Sequence, residues 1–205
     1  MIFFNPDVTF RTYLSFPDRI CQMDQLEDHN LMLKVRDGDV EKLNLLYKRY
    51  SRRFFGFFYG MTKDGATSED LVQNVFVRIL KYKHTYKDSG DFEVWAFQMA
   101  RNVHKDHFRK NKRYAFQETM DPYEQTLSET ENQEVDMEKS DELNYLKKAL
   151  ESLSEEKREL IELVRVQKVK YAKVAEMMGV TESAIKVRVH RILKELRESY
   201  LKLDV

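Results

Sequence analysis

Residues that break helices are scarce in this chain. It has six Gly and three Pro among 205 residues, about 4% together, whereas globular proteins average roughly 12%. Barrels and sandwiches of many short strands need frequent turn residues, so this composition excludes them. The hydrophobic share of 42% is enough for packed cores. At roughly 150 residues per domain, the length fits one ordinary domain or two small ones.

The charges balance over the whole chain but are segregated along it. Lys plus Arg number 35, as do Asp plus Glu, yet residues 31–116 carry a net charge of +8, residues 117–142 carry −9 and residues 143–205 carry +4. The acidic stretch has one Pro and no sustained apolar period, which is the composition of a solvated linker. Two basic parts therefore flank an acidic connector. The connector either only spaces them or mimics nucleic acid and follows a basic channel, and the residues leave both possibilities open.

Cysteine usage and hydropathy favour the cytoplasm. Cys21 is the only cysteine, so an intrachain disulfide, a Cys-rich zinc site and a CxxC redox pair are excluded, and a reducing compartment is expected. No run reaches the roughly 18 apolar residues of a membrane span, and the N-terminus lacks a basic region followed by an apolar one. Residues 1–27 form an aromatic-rich extension without a helical period. Either this is a genuine tail, or Met23 is the true start.

The first basic part begins with a predicted helical hairpin. Apolar residues from Leu43 to Phe54 recur at three- and four-residue spacings, which indicates an amphipathic helix. Leu31 to Val35 form a shorter helix before it, and Gly38 separates the two because glycine allows left-handed backbone.

A further helix is predicted to start at Thr67 and Ser68, whose hydroxyls are suited to cap free amides. Its apolar stripe consists of Leu71, Val72, Val75, Phe76, Ile79 and Leu80. Another face is polar but barely charged and consists of Asp70, Gln73, Asn74 and Val77. By spacing alone this face is either an ordinary solvated surface or a protein-docking surface.

The next helix is apolar on one side and cationic on the other. The apolar stripe, which predicts a core role for the single Trp, consists of Phe92, Trp95, Ala96, Met99 and Val103. The cationic side, with His104 and His107 among its residues, consists of Arg101, Lys105, Arg109, Lys110, Lys112 and Arg113. Such a helix suits phosphate contact, although a charged run is also typical of a solvated face. A metal site at the two His is weakly supported, because no third His or Cys accompanies them.

The second basic part contains a helix-turn-helix pattern. Ser154 precedes a helix rich in Leu, Ile and Val. A short helix then reaches Gly179, which permits a sharp turn, and either Thr181 or Ser183 is placed to cap the helix that follows. Small Ala175 allows the two helices to approach closely.

The last helix separates buried from groove-facing residues by spacing. Its apolar face consists of Ile185, Val189, Ile192, Leu193 and Leu196. The opposite face and its margins consist of Lys186, Val187, Arg188, His190, Arg191 and Lys194. An exposed Val among cations fits a major groove, where a methyl group contacts thymine and cations reach guanine or phosphate. The alternative is a basic surface helix of a bundle.

Taken in this order, the patterns resemble the sigma-70 family, and specifically its compact extracytoplasmic-function (group 4) members. The resemblance covers residues 28–113 and 143–203. DLVQNVF, Asp70–Phe76, is similar to the family's region 2.2 motif, usually DLVQEVF. The resemblance implies that the clamp of the largest subunit of core RNA polymerase is bound by Asp70, Gln73 and Asn74, the last of which replaces the usual Glu.

The remaining motifs resemble the family's DNA-reading regions. FEVWAFQMARNVHKDHFRK, Phe92–Lys110, is similar to regions 2.3 and 2.4, which read the minus-10 element, and the loop His84–Asp91 corresponds to one that takes up a flipped base. The DNA contacts implied there are Gln98, Asn102, Lys105, Arg109 and Lys110. The helix-turn-helix is similar to region 4.2, the minus-35 reader, with Lys173 and Val174 where Glu-Ile is frequent. The contacts implied there are Ser183, Lys186, Val187, Arg188, His190, Arg191 and Lys194.

We therefore predict an all-α chain of two small helical domains, sigma region 2 at residues 28–113 and sigma region 4 at residues 143–205, joined by an acidic linker at 114–142. The resemblance implies a sigma factor without catalytic activity that directs core RNA polymerase to promoters, reading minus-35 DNA and melting minus-10 DNA. It implies three partners, namely core polymerase, promoter DNA and an anti-sigma factor, with no cofactor and no membrane insertion.

The residues alone also allow a DNA-binding regulator that recruits polymerase without being its specificity subunit. A nucleic-acid enzyme is disfavoured, because the sequence has no Cys/His cluster, Gly-rich phosphate loop or Ser/His/Asp arrangement.

Overall fold

The computed structural model describes residues 27–118 and 145–203, which we call the first and the second unit. Within these ranges the regular structure is entirely helical, so the all-α prediction is confirmed. The first unit contains α1 (Asp28–Arg36), α2 (Leu43–Thr62), α3 (Gly65–Tyr82) and α4 (Phe92–Glu118), with short 3-10 turns at Val40–Lys42 and Lys83–Thr85. The second contains α5 (described over residues 145–151), α6 (Glu155–Ile161), a π-helical segment (Glu162–Val166), α7 (Tyr171–Met178) and α8 (Glu182–Leu203). The N-terminal extension and most of the acidic linker, for which the sequence left alternatives open, lie outside the described residues.

The first unit is built on aromatic side chains. Helix α2 packs against α1 and α3, and α3 packs against α4. Phe54, Phe57 and Phe97 are fully buried, and the rings of Phe54 and Phe97 meet edge to face with centroids 5.1 Å apart. Edge-to-face pairs place the positive edge of one ring on the negative face of another. This packing fixes α4, the helix that carries the proposed minus-10 residues, against α2.

Two helix boundaries were predicted from turn and capping residues, and the structure tests both. Gly38 has a φ of 116° and lies in the turn of the predicted hairpin, directly after Asp37, the C-cap of α1. The start predicted for α3 is wrong, because the helix begins at Gly65 and the carboxylate of Asp64 caps it, accepting a hydrogen bond from Thr67 N at 2.6 Å. Ser68 is buried one turn into the helix, where its hydroxyl donates to Asp64 O at 2.5 Å. A carboxylate is as good a cap as a hydroxyl, so pattern alone could not separate them.

The two units pack directly on each other. Helix α7 lies on α4, and the π-helical segment lies on α2. Buried apolar residues of both units belong to one continuous cluster. Gly56 and Gly60 face this contact, and a Cβ atom at Gly60 would overlap the carboxylate of Glu162.

The Glu162 carboxyl is buried in the contact between the units. Its Oε1 accepts a hydrogen bond from Nε2 of Gln167 at 3.1 Å. Burial raises the pKa of Glu162, and the amide of Gln167 and the charge of Lys63 offset this only in part. The folded protein therefore holds a proton at this position more readily than the unfolded chain does. The stability that this carboxyl contributes falls as the pH rises above the ordinary glutamate pKa of about 4.3.

We predict that Glu162→Gln raises the Tm at pH 7, because the amide keeps the bulk of the side chain but carries no charge to bury. The gain should shrink toward pH 4, because the wild-type carboxyl is then mostly protonated in the unfolded chain and more so in the folded protein. Thermal denaturation at both pH values measures this, with the exposed Glu156→Gln as the control. A Tm difference that does not change with pH would contradict a burial cost at Glu162.

Candidate nucleic-acid interface

The second unit contains the predicted helix-turn-helix. Helix α7 ends at Gly179, whose φ of 65° lies in the left-handed region. The turn is closed by Val180 N, which donates to Ala175 O at 3.0 Å. The hydroxyl of Thr181 then caps α8, accepting from Ala184 N at 3.2 Å. The cap that the sequence left open between Thr181 and Ser183 is therefore Thr181.

Helix α8 divides as its spacing predicts. Ile185, Val189 and Ile192 are buried against α6 and α7. The exposed residues of α8 include every one predicted to face DNA, namely Ser183, Lys186, Val187, Arg188, His190, Arg191 and Lys194. Lys186 pairs with Glu182 at 2.6 Å across one helical turn, and such exposed pairs contribute little and exchange easily. The helix thus presents a cationic surface with one bare Val in its middle, a surface that suits a major groove.

Helix α4 presents its predicted DNA residues in a line. Gln98, Asn102 and Lys105 are exposed, and their spacing of four and three residues puts them on one side of the helix. They line a cleft of about 760 Å³ whose other walls are α6, the end of α7 and α8. Arg188 and Arg191 of α8 line the same cleft. The structure therefore brings the two predicted DNA surfaces, on α4 and α8, to the sides of one cleft.

Two residues assigned to the cationic side of α4 are buried instead. Arg101 is 9% exposed, and its Nε and Nη2 donate to the two carboxylate oxygens of Glu159 at 2.9 and 3.2 Å. His104 is 4% exposed, with Nδ1 3.4 Å from Glu155 Oε1, and burial lowers its pKa. Both follow Phe97 at helical spacing and so share its inward side. Their acidic partners come from α6, which a helical wheel of α4 alone does not contain.

The C-terminal part of α4 keeps its cations at the surface. Lys105, Arg109 and Lys110 are exposed. Asp106 bridges Arg109 and Arg78 of α3, the latter at 2.8 Å. The hydrogen bond from Arg78, and then that from Arg109, lowers the pKa of the Asp106 carboxyl. This bridge ties α4 to α3 beside the predicted polymerase-docking face.

The loop between α3 and α4 is held in one shape by residues that sequence reasoning missed. Tyr86 is 2% exposed, and its hydroxyl donates to Gly90 O at 2.8 Å. His29 Nδ1 lies 2.8 Å from the same carbonyl oxygen. Arg36 donates to Asp88 at 2.6 Å. His29 and Arg36 lie more than fifty residues from their partners in the loop, so no local pattern indicates these two contacts. Together the three contacts preorganise the loop beside α4.

Helix α3 buries one face and exposes another, as predicted. The buried residues are Ser68, Leu71, Val72, Val75, Phe76 and Ile79. Asp70, Gln73 and Asn74 are exposed together with Val77, which is 62% exposed. Leu80, assigned to the apolar stripe, is in fact 37% exposed at the edge of this face. The centres of protein interfaces are depleted in charged residues, so a barely charged face with exposed apolar side chains suits a protein partner.

Across residues 27–118 and 145–203, no three His, Cys, Asp or Glu side chains are grouped to hold a metal ion. No helix in the same ranges is long and apolar enough to span a bilayer.

Comparison with known proteins finds matches to both units. Residues 46–114 match the model of Sigma-70 region 2, and residues 143–196 match that of Sigma-70, region 4. The ECF RNA polymerase sigma factor SigF of Caulobacter vibrioides is 31% identical over 178 residues, which cover 85% of this chain and 94% of that protein. The ECF RNA polymerase sigma factor SigX of Bacillus subtilis is 27% identical over 162 residues, which cover 77% of this chain and 83% of that protein.

A solved structure supports the fold. The sigma factor RpoE in complex with the anti-sigma factor NepR, from Bartonella quintana, superposes with a TM-score of 0.60 at 24% identity. The match covers 80% of this chain and 99% of that chain.

The turn of the helix-turn-helix gives a stability prediction. Gly179→Ala should lower the free energy of unfolding by about 1–2 kcal/mol, because a side chain in left-handed backbone is strained even where space is free. Urea denaturation measures the change. Gly65→Ala is a matched control, since a Cβ there also meets open space and the backbone φ is ordinary. Equal stability of the two variants would contradict the strain at Gly179.

Proposed function

The chain belongs to the extracytoplasmic-function group of the sigma-70 family, whose members direct RNA polymerase to promoters, and from that premise we propose how its two units divide the work. The first unit docks on core polymerase through α3 and holds melted minus-10 DNA against α4. The second unit reads the minus-35 element through α8. The observation that supports this division best is the presence of two separate DNA-suited faces, on α4 and α8, with a third, barely charged polar face on α3.

Helix α8 reads bases and grips phosphates with different residues. Lys186, Val187 and His190 are the base readers, since the family's region 4.2 reads DNA from the matching positions. Arg188 and Arg191 contact phosphates, which adds affinity but no sequence information.

Helix α4 and the loop before it act on the minus-10 element. Opening the duplex costs a few kcal/mol per unstacked base, which a pocket for the base and cations on the phosphates must offset. Gln98 and Asn102 supply amide groups that pair with base edges. Lys105, Arg109 and Lys110 supply the phosphate contacts, and the braced loop around Tyr86 and Gly90 supplies a fixed wall for a flipped base.

Helix α3 is the polymerase-docking element. Asp70, Gln73 and Asn74 bind the clamp of the largest subunit, with Val77 and Leu80 adding apolar contact at the margin. The protein has no catalytic activity of its own, because its contribution to initiation is binding energy. It works in the cytoplasm, where polymerase and chromosome are. An anti-sigma factor is a further partner, as one is for the structurally similar RpoE.

Transcription by purified core polymerase tests the function as a whole. With this protein added, transcripts from a genomic library should start at a limited set of promoters. A DNA-binding regulator that is not a specificity subunit would yield no promoter-directed transcripts from core polymerase alone, and that outcome would sink the proposal.

We predict that Asp70→Ala with Gln73→Ala weakens binding to core polymerase by roughly tenfold or more, as expected when interface contacts worth about 1–2 kcal/mol are lost. Pull-down with core enzyme measures this, and circular dichroism checks the fold. Glu41→Ala with Asn44→Ala is the matched control, an exposed acid and amide at the same three-residue spacing on another surface. Undiminished binding by the first pair would remove α3 as the docking element.

A second prediction separates the roles of the α8 residues. Lys186→Ala, Val187→Ala and His190→Ala should each change the preferred minus-35 sequence, at about 1–3 kcal/mol per lost base contact. Arg188→Ala and Arg191→Ala should lower affinity by a similar factor for all sequences. Selection from randomised minus-35 DNA measures both effects. If the first three variants return the wild-type consensus, α8 does not read bases.

A further inference from the structure

Helix α1 contacts the loop between α3 and α4 at two points. In the first turn of α1, His29 Nδ1 lies 2.8 Å from Gly90 O. In its last turn, Arg36 donates to the carboxylate of Asp88 at 2.6 Å and to Tyr86 O at 3.3 Å. His29 and Arg36 are seven residues apart in the chain, which is about two helical turns, so both lie on the side of α1 that faces the loop.

The loop has little apolar packing of its own. Across residues 84–91, Tyr86 is the one buried residue, and residues 84, 85 and 87–89 are exposed. The Tyr86 ring packs on Phe92, with centroids 6.3 Å apart. Holding exposed residues in one backbone shape costs conformational entropy. The polar contacts from α1 therefore contribute much of what keeps this loop in place.

Helix α1 is itself fixed to the core of the first unit. Its residues Leu31, Met32 and Val35 are fully buried. The carboxylate of Asp28 accepts a hydrogen bond from the Tyr50 hydroxyl of α2 at 2.6 Å. The contacts of α1 with the loop thus connect an exposed segment to a rigid part of the structure.

The His29 contact requires a hydrogen on Nδ1. Gly90 O can only accept, and the Tyr86 hydroxyl already donates to it at 2.8 Å. Nδ1 lies 2.8 Å from both of these oxygen atoms, so a lone pair on Nδ1 would face the carbonyl oxygen. The ring is therefore held with its hydrogen on Nδ1, and it donates to the same carbonyl oxygen as Tyr86, which has two lone pairs to accept both.

We propose that His29 and Arg36 are positioning residues for promoter melting, which hold the loop in the shape that receives a flipped base. The inference rests on the proposed function, in which this loop takes up a base beside α4. A loop that already has its bound shape loses little conformational freedom when the base enters, so the opened DNA is held more tightly. Minus-35 reading by α8 and polymerase docking by α3 do not depend on these contacts.

Binding of a single-stranded minus-10 oligonucleotide by the holoenzyme tests the proposal. The oligonucleotide is the non-template strand of a promoter found in the transcription experiment above. We expect His29→Ala to bind it on the order of tenfold more weakly, as when the receptive shape of the loop falls from most of the molecules to about a tenth. Arg36→Ala should act in the same direction by a smaller factor, because its pair with Asp88 is exposed.

The matched controls are Asn30→Ala and Lys34→Ala, which change exposed residues of the same helix. Both should bind the oligonucleotide as the wild type does. Circular dichroism checks that every variant is folded.

Two further variants separate the hydrogen bond of His29 from the bulk of its ring. The amide nitrogen of Asn lies as many bonds from the backbone as Nδ1 of His, whereas that of Gln lies one bond farther. His29→Asn should therefore restore binding, and His29→Gln should remain weak although its side chain is the larger. A role of the ring in packing alone would make both variants weak.

Hydrogen exchange of the free protein reports on the loop directly. The Gly90 N–H donates to Lys87 O at 2.9 Å. It should exchange faster in His29→Ala than in Asn30→Ala, because the turn opens more often once His29 no longer holds the Gly90 carbonyl. Equal exchange in the two variants would contradict the ordering of the loop by His29.

Abasic sites in the oligonucleotide identify the base on which the contacts act. At the position of the flipped base, removing the base should weaken wild-type binding and abolish the difference between wild type and His29→Ala, because the loop then has nothing to receive. At the other minus-10 positions the difference should persist.

Three binding results overturn the proposal, namely affinity of His29→Ala equal to that of the controls, equal loss in His29→Asn and His29→Gln, or a difference that persists at every abasic position. Failure of the proposed function would look different. In that case the wild-type holoenzyme would direct no promoter-specific transcription and would itself bind no minus-10 strand.

Discussion

A buried guanidinium must keep its partner, and in this chain that requirement fixes how the two units meet. Arg101 is enclosed between α4, α6 and the end of α7, and its charge is met by the carboxylate of Glu159. Removing one partner of such a pair leaves an uncompensated charge and typically costs about 3–5 kcal/mol while the site stays closed. This pair holds α6 against α4 together with the contact of His104 with Glu155. The same meeting of the two units puts α7 on α4 and the π-helical segment on α2, beside Gly56 and Gly60.

Elements whose evidence is local could be predicted from the sequence. The apolar stripes of α2, α3 and α4 recur at helical spacing within one segment of the chain. The helix-turn-helix is also a local signal, because its small Ala175, its turn at Gly179 and its capping hydroxyl at Thr181 lie within a few residues. The exposure of Val187 and the burial of Val189, two residues apart on α8, follow from that spacing alone. The resemblance to the sigma-70 family then implied functional roles for exposed residues, which helical spacing alone cannot indicate.

The features that could not be predicted depend on partners remote in the chain. Arg101 and His104 were assigned to the cationic side of α4 but are buried against Glu159 and Glu155 of α6, which lie more than fifty residues away in the chain. The brace of the loop joins His29 to Gly90 across a similar separation. The capping of α3 was missed for a different reason, since Asp64 and the nearby hydroxyls are chemically equivalent caps and only the backbone path chooses between them.

The chain contains a single tryptophan, and its position gives it a use beyond packing. The Trp95 side chain is half-buried, and its ring meets the ring of Tyr86 with centroids 5.2 Å apart. Tyr86 is the residue that braces the loop proposed to receive a flipped base. The tryptophan fluorescence of the protein therefore originates beside that loop, with no other indole contributing, and any rearrangement there alters the surroundings of this one indole.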